Sequence, residues 1–80
     1  MTGARCPCCG FRTLGENGAF EICPVCLWED DGQGDSDCDT VRGGPNGDLS
    51  LQQARLNFAA FGACSTRAVR HVRPPLDAER

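Results

Sequence analysis

Seven of the 80 residues are cysteine, and four of the seven carry a spacing that implies chemistry. Cys6-Pro7-Cys8-Cys9 and Cys23-Pro24-Val25-Cys26 are both C-x-x-C, with 13 residues between the two pairs. Two such pairs at this separation point to a metal site. Each knuckle is a tight turn that offers two thiolates to one tetrahedral ion, with backbone N–H groups aimed at the sulfurs. Proline after the first cysteine of each pair fixes φ, so less entropy is lost on binding. Gly10, just after the first pair, permits the positive φ such a turn uses. Cys6, Cys9, Cys23 and Cys26 are the candidate ligands, and one Zn²⁺ per chain is the expected cofactor. Four thiolates fill a tetrahedral ion, so the site reads as closed and structural, with no position left for a reacting water. Cys8 falls outside the x-x spacing and is expected to be a non-ligand thiol pointing away from the metal.

Other chemistries fit these residues less well. A thioredoxin-like redox pair belongs beside a βαβ unit, which so short a chain does not accommodate. Iron accepts the same four-thiolate geometry, and spacing does not separate it from zinc. Cys8, Cys38, Cys64 and His71 share no knuckle spacing, and buried apolar packing is the commoner fate of such cysteines. Asp35, Asp37 and Asp39 alternate as a calcium loop begins, but Thr40 and Asn46 stand where that loop needs Gly and Glu. There is no Ser/His/Asp set, no phosphate loop and no open metal, so no enzymatic activity is expected.

These ligands need a scaffold, and the supply of apolar residues is thin. The 40% apolar fraction includes the cysteines, and the aromatic residues are four Phe and one Trp. A domain of this size gains little from its core alone, which assigns part of the work of folding to the metal. An odd cysteine count and an N-terminal stretch without an apolar run argue against a disulfide-bonded secreted protein. Nor is any stretch apolar enough to cross a membrane, and the expected location is the cytoplasm. The formal charge is −3. Four thiolates around a divalent ion would take it to about −5, which disfavours a general nucleic-acid binder.

The elements follow from local patterns, and the 80 residues are expected to form a single domain. Residues 4–31 read as a zinc-ribbon-like part. There Phe11–Leu14 and Ala19–Ile22 flank the turn at Gly15–Gly18 as the arms of a β-hairpin, with Phe11 opposite Phe20. Residues 32–49 are rich in Asp and Gly and read as a solvated acidic loop, extended only around Thr40–Arg42. The 50–73 region reads as helical. Ser50 and Gln53 form a capping-box pattern, Leu51, Ala54, Phe58 and Phe61 share one helical face, and Gly62 supplies the stop. A short second helix, capped by Ser65 or Thr66 and facing Val69 and Val72 inward, ends at Pro74-Pro75. Residues 74–80 read as a loose tail. The expected fold class is a small metal-stabilised α+β protein with zinc-ribbon-like β-hairpins, one main helix and a short C-terminal helix.

Opposite charges are segregated along the chain. Six acids and no base lie between Glu29 and Asp39, and three arginines and a histidine lie between Arg67 and Arg73. Internal pairing plus solvation is the plainer account of such runs. Trp28, directly after the second knuckle, is expected to anchor the core beside the metal.

Taken in order, "CPCCGFRTL", "FEICPVCLWEDDG", "GGPNGDLSLQQARLNFAAFGAC" and "RHVRPP" resemble the bacterial cysteine-rich CPCC family over residues 5–75. The resemblance implies a metal-ligand role for Cys6, Cys9, Cys23 and Cys26. Cys8, Trp28, Glu29, Asp30, Asp31, Asn46, Ser50, Ala54, Arg55, Phe61, Gly62 and Cys64 also match the family pattern, whereas Cys38 lies in a variable loop.

The function expected from these residues is that of a zinc-stabilised module that binds another macromolecule, most naturally a protein. A nucleic-acid-binding zinc ribbon using Arg67, Arg70 and Arg73 is one alternative. A thiol-based redox or metal-sensing protein working through Cys8 or Cys64 is the other.

Overall fold

The computed structural model describes residues 3–80. Its one regular helix, α1 (Leu51–Phe61), begins and ends where the sequence places its caps. The Ser50 hydroxyl accepts a hydrogen bond from the Gln53 N–H at 3.0 Å. Gly62 adopts the left-handed conformation and donates its N–H to the Phe58 carbonyl at 2.9 Å. The reciprocal half of the capping box does not form, because the Gln53 amide turns instead to Asn57. Leu51 and Ala54 are fully buried and Phe58 packs at the edge of the core, while Phe61, expected inside, is 40% exposed.

The α+β, zinc-ribbon-like expectation is overturned. Among the described residues there is no β-strand, only two isolated antiparallel bridges, Ala4 with Leu14 and Ile22 with Glu29. Each bridge closes around one knuckle, so the chain pairs across the cysteines and not across the Gly15–Gly18 turn. The hairpin therefore does not form. Phe20 is a non-glycine residue with φ of 60°, which breaks the extended run its arm would need. Phe11 instead packs edge-on against Phe58 of α1, with ring centroids 6.4 Å apart, and Phe20 is exposed.

Side chains take over the hydrogen bonding that a sheet ladder would supply. Asn46 accepts from the Glu29 N–H at 3.1 Å and donates to the Glu29 carbonyl at 2.8 Å, as a neighbouring strand would. The Glu21 carboxylate accepts from the N–H groups of Gly15 and Glu16. Asp30, 1% exposed, accepts from the N–H groups of Gly18 and Gly32 and from the Asn17 amide, fastening the loop to the second knuckle. Buried backbone groups must be paired, and in a chain this short side-chain carboxylates and amides do much of that pairing.

The acidic segment is folded as well. It contains two 3₁₀ turns, Asp35–Asp37 and Gly44–Asn46. The buried Gln33 amide donates to the carbonyls of Asp37 and Thr40. Arg42 bonds the Asp31 carbonyl at 2.7 Å and the Asp37 carboxylate. The Gly34 N–H and Arg42 hold the Asp37 carboxyl below its usual range.

The short C-terminal helix is likewise absent. Thr66–Ala68 is one 3₁₀ turn with Ala68 as its buried residue, while Val69 is exposed and Val72 is half-buried. The Arg73 N–H bonds the Pro24 carbonyl of the second knuckle at 3.1 Å in place of a helical partner, and Pro74 and Pro75 stop any helix beyond it. The last residues are not loose. Asp77–Glu79 forms a 3₁₀ turn, Arg12 donates its N–H to the Glu79 carbonyl at 2.6 Å, and Arg73 grips the Glu79 carboxylate with two bonds of 2.8 and 2.9 Å.

The core is small and lies against the knuckles. Trp28, Leu14, Val25, Leu51, Ala54 and Ala63 pack with the sulfurs of Cys6, Cys8, Cys23, Cys26 and Cys64. Trp28 is fully buried, as its expected anchoring role requires, and its indole N–H has no partner among the described residues.

Candidate metal centre

The two knuckles are built alike. In the first, the Gly10 N–H returns to the Cys6 carbonyl at 2.8 Å and the Cys6 N–H bonds the Phe11 carbonyl at 2.8 Å. In the second, Leu27 returns to Cys23 at 2.8 Å and Cys23 bonds Trp28 at 3.0 Å. Both turns require a left-handed residue directly after the second cysteine. Gly10 supplies it with φ of 83°, and Leu27 adopts it with φ of 70°. For an L-residue this costs roughly 1–2 kcal/mol, so the second turn is held by the contacts around it.

Those contacts come from the C-terminal half of the chain. The Cys64 N–H donates to the Cys26 carbonyl at 2.8 Å, and the Arg73 N–H to the Pro24 carbonyl at 3.1 Å. The first knuckle is tied to α1 by Arg55, whose Nε donates to the Pro7 carbonyl at 2.8 Å while the same guanidinium pairs with Asp35 at 2.8 Å.

Between the knuckles, one sulfur from each of Cys6, Cys9, Cys23 and Cys26 lies within 4.8 Å of all the others. The Cys6–Cys26 and Cys9–Cys23 pairs stand 3.6 and 3.7 Å apart. A tetrahedral ion with metal–sulfur bonds of about 2.3 Å places its sulfurs about 3.8 Å apart, so the donor set fits a four-coordinate metal. These four cysteines could hold a metal ion. Cys6, Cys23 and Cys26 are buried and Cys9 is half-buried.

Electrostatics support the same assignment. Four thiols so close cannot all ionise without a cation between them. The Cys23 thiolate, bonded first by Cys26 and then by Cys6 and Cys9, is held far below the usual thiol range. Hydrogen bonding to Cys23 is also the largest cause that pushes Cys6, Cys9 and Cys26 far above it. A divalent cation removes this conflict by offsetting the charge of every sulfur.

Spacing gave no sign of Thr13. Its hydroxyl donates to the Cys23 sulfur at 3.0 Å, and the Val25 N–H adds a longer bond of 3.4 Å. A bond to a ligand sulfur orients it and shares its charge. Arg55 was also missed as a support of the first knuckle, because no local pattern links Arg55 to Pro7.

The remaining candidates are not gathered into a second site. Among the described residues, the four-cysteine group is the only cluster of three or more potential ligand side chains. Cys8 sits at the knuckle position equivalent to Val25, and both are buried in the core. Cys64 is buried with its thiol pushed up to about 11, chiefly by that burial. Cys38 is half-buried and His71 is exposed. Asp35 and Asp37 face Arg55 and Arg42.

A compact pair of CPxC knuckles sharing one four-sulfur cluster defines a small cysteine-rich protein with a candidate metal centre. Residues 4–79 match the family described as Cysteine-rich CPCC, and the chain belongs to that family. No curated protein and no solved structure matches it. No helix among the described residues is long and apolar enough to cross a membrane.

Proposed function

We propose that the protein is a zinc-stabilised, non-enzymatic module that binds another protein in a reducing, cytoplasmic setting. The observation that carries the metal half of this reading is the 3.6 and 3.7 Å sulfur spacing across the two knuckles. Bound zinc would supply a fixed cross-link and would offset the thiolate charge. The protein's own residues do the rest: Gly10 and Leu27 turn the chain, Thr13 steadies Cys23, and Arg55 and Arg73 fasten the knuckles to the C-terminal half. Apparent binding energies for such sites are roughly 10–16 kcal/mol at neutral pH, comparable to the full stability of a small domain.

Four sulfur donors leave a tetrahedral ion no vacant position, which supports a structural role over catalysis. The thiol-chemistry alternative is weakened at Cys64, whose burial and raised pKa both oppose thiolate formation. The nucleic-acid alternative loses Arg73, which is engaged by Glu79.

Native mass spectrometry tests the metal half. One zinc per chain is expected, kept in Cys8→Ser and lost together with the fold in Cys6→Ser or Cys26→Ser. Two zincs, or loss of metal in Cys8→Ser, would overturn the ligand set. The interaction half is tested by cross-linking the metal-loaded protein in extract of its native host. A specific partner that is lost on chelation supports it, and the absence of any such partner rejects it.

A further inference from the structure

A cleft of about 580 Å³ separates the Gly44–Leu49 loop from the Ser65–His71 turn. Its volume falls within the range of ordinary ligand sites, roughly 300–1,000 Å³. Leu27, Leu49 and Phe61 contribute apolar surface, and Phe61 is the large aromatic that α1 leaves 40% exposed. Ser65, Thr66, Arg67 and His71 contribute hydroxyls, a guanidinium and an imidazole from a single turn.

The turn that forms one wall of this cleft carries charge opposite to that of the chain. Arg42, Arg55, Arg73 and Arg80 all make ion pairs with acids of the same molecule. Arg67 and Arg70 make none among the described residues, and both are exposed beside His71. None of the six acids of Glu29–Asp39 lines the cleft, where the only acid is Asp48. On a molecule of net charge −3, this turn is a local cationic patch beside apolar surface.

The cleft is also joined to the metal centre. Leu27 follows Cys26 and completes the second knuckle in its left-handed conformation, and Cys64, another lining residue, bonds the Cys26 carbonyl.

We propose that this cleft docks an extended acidic peptide segment of a partner protein, with an aliphatic or aromatic side chain against Leu27, Leu49 and Phe61 and carboxylates on Arg67 and His71. This rests on the interaction-module reading and names its surface. Arg67 in the cleft, with Arg70 exposed on the same turn, suits a peptide carboxylate or two. A nucleic-acid backbone, by contrast, is bound by many cations at once and is repelled by the rest of this molecule.

The test is selection of a random-peptide phage library on the zinc-loaded protein, followed by amide-resonance mapping with synthetic copies of the selected peptides. The expected peptides combine an apolar anchor with Asp or Glu and shift the resonances of Leu27, Gly44, Gly47 and Ser65 to His71. Their affinity should fall by about tenfold in Arg67→Glu and also in Phe61→Ala, both at exposed positions, with zinc content unchanged. Chelation should abolish binding. Three results would overturn the proposal: no enrichment over Arg67→Glu, peptides of basic composition, or shifts that map elsewhere. Titration with a single-stranded oligonucleotide is run in parallel. If it shifts the same resonances in a salt-dependent way while no peptide binds, the cleft belongs to nucleic acid and the proposal is wrong. A cross-linked partner whose footprint lies elsewhere would reject the cleft and leave the interaction-module reading standing.

Discussion

At the scale of single residues, the cysteine cluster depends on neighbours that touch a ligand or shape its turn. Thr13 is the clearest case, because its hydroxyl bonds the Cys23 sulfur directly at 3.0 Å. Removal of such a partner typically weakens a metal site by about 10–100-fold. Thr13→Val should therefore lower zinc affinity by at least about tenfold in competition with a colorimetric chelator, while Thr13→Ser retains it. Gly10 is a purely conformational case. A Cβ at this position would meet no atom within 4 Å, so the cost of Gly10→Ala is confined to φ of 83°. About 1 kcal/mol of stability should be lost in denaturant unfolding of the metal-loaded protein. Cys8 illustrates the reverse. Placed like Val25 and buried with it, it is a core residue by geometry. Cys8 was the thiol left unexplained by spacing, and its surroundings make it a packing residue.

At the scale of elements, α1 and the C-terminal segment act as clamps on the knuckles. Arg55 reaches both Pro7 and Asp35 with one guanidinium, joining the helix, the first knuckle and the acidic turn. A lysine has no fork to make both bonds. Arg55→Lys and Arg55→Ala should release zinc faster to excess chelator, and to a similar extent, whereas a purely charge-based role would let lysine rescue the rate. The second clamp is the Arg73–Glu79 pair. Arg73 holds the Glu79 carboxyl down to about 2, with the Leu76 N–H adding to the effect. A depressed carboxyl contributes stability above its unfolded value and loses it as pH falls through the folded one, here between about 4.5 and 2. Glu79 should thus stay ionised by carbon-13 NMR, below its ordinary range, for as long as falling pH leaves the metal bound. Acid release of metal by thiolate protonation should precede its protonation. Protonation of Glu79 in the ordinary glutamate range while the metal is still bound would show that the clamp does not form.

At the scale of the whole molecule, the small core and the four-sulfur cluster are one body, since Cys6, Cys23 and Cys26 are themselves core residues. Chelation of the metal should therefore cost the helix signal in circular dichroism in the same transition that releases zinc. Retention of α1 after complete zinc loss would separate the two. What was legible in the sequence is what local physics controls. Knuckle spacing brought together the four cysteines that cluster, Ser50 and Gly62 bounded the helix, and the size and polarity of Trp28 marked a core anchor. The fold class was not legible, because two short apolar arms around Gly15–Gly18 look the same whether they pair with each other or each with its own knuckle. Tertiary structure decided for the knuckles. It did so through side chains distant in sequence: Asn46 took the place of a strand beside Glu29, Asp30 and Glu21 fastened the turn, and Arg73 captured Glu79. Such pairings carry no period and no fixed spacing, and they form only when the closed knuckles bring their partners into reach. The sequence by itself therefore determined the metal-ligating potential and the helix. The absence of a sheet among the described residues and the cleft between Gly44 and His71 were decided by tertiary contacts.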